Sequence, residues 1–155
     1  GMKKCNKNGW HSKIDIYNMR EYKELVSLVF KVQNEIFKEE GLEPSPFIGN
    51  MWANINPKGG YNTSHIHSNS LWSGVYYVKT PNNCGKLGIK DPRTISLMTL
   101  PRYDKPLKSY QWRQFYYEAV AGRCIMFPAW LEHFVEPNES NDLRISISFN
   151  FLQKK

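Results

Sequence analysis

From residue 47 to residue 152 the chain is a succession of short runs rich in Trp, Tyr, Phe, Val and Ile, cut by glycine and proline turns. Ahead of them lies a single helical pattern. No other feature limits the fold so tightly. Strands that alternate with helices would give a parallel sheet, whereas about eight strands with no intervening helix give a double-sheet jelly roll or similar barrel. The predicted class is therefore mainly β with one N-terminal helix. At 155 residues the chain suits a single domain, 2–155, with the helix at about 19–40 and the barrel at about 47–152.

The segment boundaries follow from local chemistry. Lys13–Tyr17 alternates enough for a short strand. Asn18, three residues before Glu21, has the form of an N-cap with its capping-box partner. Leu25, Leu28, Val29, Val32, Ile36 and Phe37 then fall on one helical stripe, which should lie against the outside of a sheet, and Gly41 is placed to end the helix. Strands are predicted at Phe47–Ile55, with Trp52 and Asn54 sharing a face, and at Asn62–His67, Leu71–Lys79 and Lys86–Ile89. Thr94–Leu100 alternates weakly. Gln114–Val120, Arg123–Phe127, Glu132–Glu136 and Leu143–Leu152 complete the set. Residues 101–113 read as an irregular loop, of the kind that often forms a lid or a substrate wall.

Composition removes several classes of function. No apolar run is long enough to span a bilayer, and the opening residues do not read as a secretory leader. Cys5, Cys84 and Cys124 are odd in number and widely spaced, so they form neither a disulfide framework nor a CxxC site, and a reducing, cytoplasmic setting is expected. The net charge of +7 lies partly in Lys3, Lys4, Lys7, Lys154 and Lys155. Solvated basic ends explain it, and an anionic small substrate is equally compatible. Nucleic acid is not an expected partner, because core packing accounts for Tyr61, Trp72, Tyr76 and Trp112 more simply than base stacking does. Residues 2–12 are polar and should be loosely held, and His11 within them has no evident role.

The chemistry concentrates at His65-Ile66-His67. Residues two apart on an extended strand face the same way, so both imidazoles can reach one ion. His133, in Phe127-Pro128-Ala129-Trp130-Leu131-Glu132-His133, is the third candidate ligand. Imidazole suits iron, zinc, copper and nickel alike, so these residues do not name the metal. On the last strand Arg144, Ser146 and Ser148 alternate with Ile145 and Ile147. An inward arginine needs an anion, and its fork suits a carboxylate; a salt bridge to Glu132 or Asp142 is the structural alternative.

These motifs, taken together and in order, resemble the 2-oxoglutarate/Fe(II)-dependent dioxygenases with their double-stranded β-helix fold. More narrowly they resemble a small-oxygenase family often met in phage and bacterial genomes. The resemblance runs through Trp52-Ala53-Asn54, the HxH, Ser73-Gly74-Val75-Tyr76-Tyr77-Val78 and Asp91-Pro92-Arg93. It continues through Phe127–Asn138 and Arg144–Asn150, about two thirds of the chain. It implies an enzyme that couples decarboxylation of 2-oxoglutarate to hydroxylation of a prime substrate, with Fe(II) as cofactor. In that scheme His65, His67 and His133 are the iron ligands, and Arg144, Ser146 and Tyr77 bind the co-substrate. Asn54, Asn62, Trp72 and Asn150 serve the substrate or support the ligands, and no catalytic residue is needed beyond the metal centre.

One position departs from the wider superfamily, which has HxD where this chain has His65-Ile66-His67. Three neutral imidazoles leave the ion more positive than two imidazoles and a carboxylate would. Glu132 does not replace the missing acid, since on an extended strand it faces away from His133. The rival is a cupin-like metal-binding protein without oxygenase activity. Gly59 six residues before His65 fits the start of a cupin motif, but no glutamate lies three or four residues after His67. The prime substrate, and whether the chain pairs with a second copy, are left open by these residues.

Overall fold

The computed structural model describes residues 1–2, 4–43, 46–93, 98 and 101–153. Ten strands form two antiparallel five-stranded sheets. In chain order they are β1 (Asn6–Lys7), β2 (Trp10–His11), β3 (Pro46–Asn56), β4 (Tyr61–His65), β5 (Trp72–Lys79), β6 (Leu87–Lys90), β7 (Gln114–Tyr117), β8 (Cys124–Pro128), β9 (His133–Val135) and β10 (Arg144–Gln153). One sheet runs β1-β4-β9-β6-β7 and the other β2-β3-β10-β5-β8. This is the jelly-roll arrangement, and the single α-helix among the described residues, α1 (Lys23–Glu39), lies outside it.

Strand β10 is the central strand of the second sheet, pairing with β3 along its whole length and with β5 from Ile145 to Phe151. Its two faces do different work. Ile147, Phe149 and Phe151 join Met51, Ile48, Ile16 and Val29 of α1 in the main core, where each large buried side chain contributes about 1.5–3 kcal/mol. Arg144, Ser146 and Ser148 face the space between the sheets. Gly74, on β5, permits this packing, because a Cβ there would overlap the Phe149 ring.

The helix docks on the sheet's outer face as expected, but on a stripe rotated from the predicted one. Val29, Gln33 and Phe37 are buried, with Val26 and Phe30 packed beside the core, whereas Leu28 and Val32 are exposed. The Phe30 ring meets Phe151 edge-on at 5.1 Å. Asn18 is not the cap. Two consecutive 3-10 turns, Ile16–Asn18 and Arg20–Tyr22, precede the helix, and its N-cap is Tyr22. Those turns also replace the strand expected at Lys13–Tyr17, because burying Ile16 in the core coils the backbone there; only Asp15 bridges to Met51. Gly41, at φ +67°, ends the helix, with Leu42 N–H returning to Phe37 O at 2.8 Å.

Residues 101–113 are irregular apart from one 3-10 turn at Ser109–Gln111. The weak strand expected at Thr94–Leu100 lies almost wholly outside the described residues. The N-terminal segment is the clearest correction. Residues 4–12 are not loose: β1 pairs with β4 and β2 with β3, so the arm is pinned to both sheets at one mouth of the barrel. Strands of two residues have no periodicity to read. Among the described residues, no helix is long and apolar enough to cross a membrane.

Candidate metal centre

The three histidines meet at the mouth of the barrel beneath that arm. His65 ends β4, directly opposite His133 at the start of β9, and their ring centroids are 4.3 Å apart. His67 lies two residues past His65, held by its N–H to Ala129 O at 3.1 Å, while Ile66 between them points to solvent. One ring nitrogen from each of the three lies within 4.8 Å of the other two. Contacts at the other nitrogens fix the rings. His65 Nδ1–H donates to Thr63 O at 2.7 Å and His133 Nδ1–H to Leu131 O at 2.9 Å, which leaves each Nε2 as a lone pair. Asn150 lies 3.4 Å from His67 Nδ1, and is itself held by Ser73 and Asn50.

Burial keeps two of these rings neutral. Desolvation, with the neighbouring His133 and His65, pulls His67 down to about 3. Desolvation and His65 pull His133 down to about 4. His65 is opposite in direction: burial lowers it, but the Cys5 thiol, 3.6 Å from its Nε2, and the Thr63 carbonyl outweigh burial and raise it. Neutral imidazoles with free Nε2 atoms are what a divalent ion requires. Among the described residues no carboxylate joins the cluster. Glu132 indeed faces away, accepting from Ser64 Oγ and Lys90 Nζ, both at 2.7 Å.

Arg144 lies deeper in the same cavity, 1% exposed. Neither salt bridge considered for it forms, since Asp142 pairs with Lys79 and Glu132 with Lys90. Its Nη1 donates to the carbonyls of Cys84 and Glu136, and Nη2 to Gly60 O at 3.4 Å. A guanidinium has five N–H donors. The Nε–H and one Nη2–H have no protein acceptor among the described residues. Burial pulls Arg144 down, Cys84, Tyr77 and the Glu136 carboxylate work against that pull, and among the described residues no carboxylate forms a salt bridge with it. Tyr77, 2% exposed, lines the cavity with no hydrogen bond to its hydroxyl among the described residues, and burial pushes it up to about 12. Ser146 pairs in register with both Asn54 and Tyr77 and also lines the cavity. Asn54 donates to Ser148 Oγ at 3.1 Å while its own Oδ1, buried, has no partner.

The structure thus brings together His65, His67, His133, Arg144, Ser146, Tyr77, Asn54 and Asn62 around one cavity. Asn150 supports it from behind His67. Trp72 does not belong: its neighbour Ser73 faces the cavity, and Trp72 packs on the opposite face against the helix-side core. No described residue of the 101–113 loop lines this cavity, so the wall expected there is absent from it. Two residues were missed. His11 is buried and stacks on Trp52 at 5.4 Å and 7°. Cys5 sits against His65, and an isolated cysteine in a polar segment carries no signal that would reveal this.

Fold and site together are a double-stranded β-helix with three converging imidazoles at one mouth and a buried guanidinium within. Residues 50–150 match the family described as "Putative 2OG-Fe(II) oxygenase", and the chain belongs to that family. That places it among the 2-oxoglutarate- and Fe(II)-dependent oxygenases rather than with the cupin-like proteins. Among solved structures it is similar to a Burkholderia pseudomallei oxidoreductase of the 2OG-Fe(II) oxygenase family, at TM-score 0.70 and 12% identity over 95% of this chain and 69% of that one. A Pseudomonas putida prolyl-4-hydroxylase matches at TM-score 0.65 and 16% identity, over 95% and 73%. The epimerase SnoN, in complex with Fe3+, alpha ketoglutarate and nogalamycin RO, matches at 0.69 and 10%, over 94% and 64%. Among curated proteins, none matches by sequence.

Proposed function

We propose that His65, His67 and His133 hold the iron through their Nε2 atoms, and that Arg144 grips the distal carboxylate of 2-oxoglutarate. The observation that carries this reading is the buried Arg144, which makes no salt bridge among the described residues and shares a cavity with three converging imidazoles. A buried cation without a counter-ion is costly, and a bidentate carboxylate on its free donors removes that cost. Tyr77 Oη and Ser146 Oγ add donors to the same carboxylate. When bound, the iron and 2-oxoglutarate supply the oxidising chemistry, decarboxylation coupled to hydroxylation. The protein's part is to fix both in place and exclude water. Leaving Nε2 free requires Asn150 to turn its amide oxygen toward His67 Nδ1–H, with Asn50 turning alongside to keep their hydrogen bond and Ser73 Oγ changing from donor to acceptor.

A second chamber, about 380 Å³ and lined by Lys4, His11, Ile14, Asn50 and Trp52, reaches His65 and His67 from the other side of the arm. We assign it to the prime substrate, and its size suits a small molecule or a single side chain. The three unpaired thiols support a reducing, cytoplasmic setting. The test is anaerobic addition of 2-oxoglutarate to the Fe(II) protein, which should produce a visible charge-transfer absorption, followed by succinate release on admitting oxygen. No absorption change at millimolar 2-oxoglutarate would overturn the assignment.

A further inference from the structure

We infer that His11 selects the prime substrate: it presents a fixed hydrogen-bond acceptor to the outer chamber, which takes a neutral or anionic molecule bearing an N–H or O–H donor. This rests on the reading of that chamber given above and narrows it. His11 is 3% exposed, and its ring is held from two directions. Nδ1–H donates to Ser12 O at 2.6 Å, and the ring lies flat on Trp52, 5.4 Å away at 7°. Ser12 is anchored in turn, its N–H donating to Ala53 O at 3.0 Å and its Oγ accepting from Ala53 N–H at 2.9 Å. The pairing of β2 with β3, which sets His11 opposite Asn54, fixes the backbone beneath both.

With the ring proton committed at Nδ1, Nε2 carries a lone pair. Burial, helped by the Lys4 ammonium, outweighs the Ser12 contact and holds the imidazole below its usual range, in the neutral form. Nε2 has no hydrogen-bond partner among the described residues. Nor is it sealed away as the Gln33 amide and Asn54 Oδ1 are, and it opens to the chamber that His11 lines. A buried, oriented and unpaired acceptor favours a molecule that donates to it over one that lacks the donor.

The other walls set the body and charge of that molecule. Trp52 and Ile14 are apolar, and among the described residues lining the chamber Lys4 brings the one formal charge. A cationic guest would face Lys4 and the divalent ion of the three-histidine site, with no carboxylate to neutralise it. Trp52 stands between His11 and His67, its ring centroid 5.8 Å from that of His67, and His65 and His67 line the same chamber. A molecule bonded to His11 and lying along Trp52 therefore extends its far end to the histidine cluster.

Pyrrole and N-methylpyrrole are matched probes for the test. They share an apolar ring, only the first has an N–H, and neither has a basic lone pair for the metal. The intact protein, loaded anaerobically with Co(II) and 2-oxoglutarate, is titrated with each, and paramagnetic relaxation of the probe protons reports binding beside the metal. Pyrrole is expected to bind about 10-fold more tightly than N-methylpyrrole. That preference should vanish in His11→Phe, which keeps a ring against Trp52, and return in part in His11→Gln, whose amide oxygen can stand in for Nε2. The cation 3-(aminomethyl)pyrrole should bind more weakly than pyrrole. Equal relaxation of the matched pair in the wild type, or a preference that survives in His11→Phe, overturns the role of His11 and leaves the chamber as the substrate site. If cobalt is bound and neither probe is relaxed, the chamber assignment falls, and His11 with it. Absence of bound cobalt overturns the three-histidine centre itself. Tighter binding of the cation overturns the charge selection. The wild-type pair decides the main point even if a variant fails to fold.

Discussion

His65 and His133 are direct cross-strand partners, 68 positions apart in sequence yet with ring centroids 4.3 Å apart across the β4–β9 pair. Pairing of the two strands therefore sets the metal site, and strand register is its controlling variable. A slip of one residue in either strand would put the two rings on opposite faces.

Removing either of these ligands should disable metal binding without unfolding the barrel. His65→Ala and His133→Ala are each expected to weaken Co(II) or Fe(II) affinity by more than about 100-fold, beyond what loss of a supporting contact costs. Calorimetric titration and metal content after gel filtration check this, with circular dichroism confirming the fold. A variant that still holds one metal per chain would remove that residue from the ligand set.

Arg144→Leu should abolish the anion grip and spare the metal. Losing a buried, hydrogen-bonded charge partner costs about 2 kcal/mol or more, or at least roughly 30-fold in 2-oxoglutarate affinity. Equilibrium binding to the anaerobic Fe(II) protein measures it. Arg144→Lys keeps the charge but not the fork, and is expected to fall between the two. Unchanged affinity in Arg144→Leu would place the co-substrate elsewhere.

The metal-free protein should lose stability in mild acid. His133 and His67 are held down near 4 and 3 when folded, whereas the unfolded chain takes up their protons below about pH 6.5. Their contribution is thus complete above pH 6.5 and declines as pH falls toward 4 and then 3. Thermal unfolding in chelator should show Tm dropping by at least about 5 °C between pH 6.5 and 4.5. His67→Ala should flatten that slope, and a slope identical in the variant would contradict the origin assigned here.

Gly85 connects backbone strain to the anion grip. Its φ is +81°, and a Cβ there would come within 2.5 Å of Glu136 O. Both Glu136 O and the preceding Cys84 O accept from Arg144. Gly85→Ala is expected to cost about 1–3 kcal/mol in urea unfolding and to weaken 2-oxoglutarate binding at the same time. A stability loss with unchanged binding would uncouple the turn from the guanidinium.

Much of this was legible in the residue pattern because it depends on alternation. Arg144-x-Ser146-x-Ser148 put three side chains on the inner face by period two, whereas the HxH spacing reached the right outcome by another route, because β4 ends at His65 and His67 lies beyond it, held by its N–H to Ala129 O. Trp72 was misplaced because a bulky aromatic beside a binding motif looks the same on either face of a strand, and only register decides. The helix stripe was rotated for a related reason. Gln33 reads as polar but is buried at 0% exposure, displacing Leu28 and Val32 outward. Cys5 and His11 were unreadable, because two-residue strands acquire their positions wholly from distant partners.

The placement of β10 has a consequence for how the molecule is made. Its partners β3 and β5 are synthesised some 90 and 70 residues earlier, yet they stay unpaired with each other until residues 144–153 emerge between them. Contacts so distant along the chain form slowly. A ribosome-bound intermediate therefore presents two open strand edges and a helix that has β3 to pack on but not Phe149 and Phe151. The cell must shield these edges from other chains until the closing strand arrives.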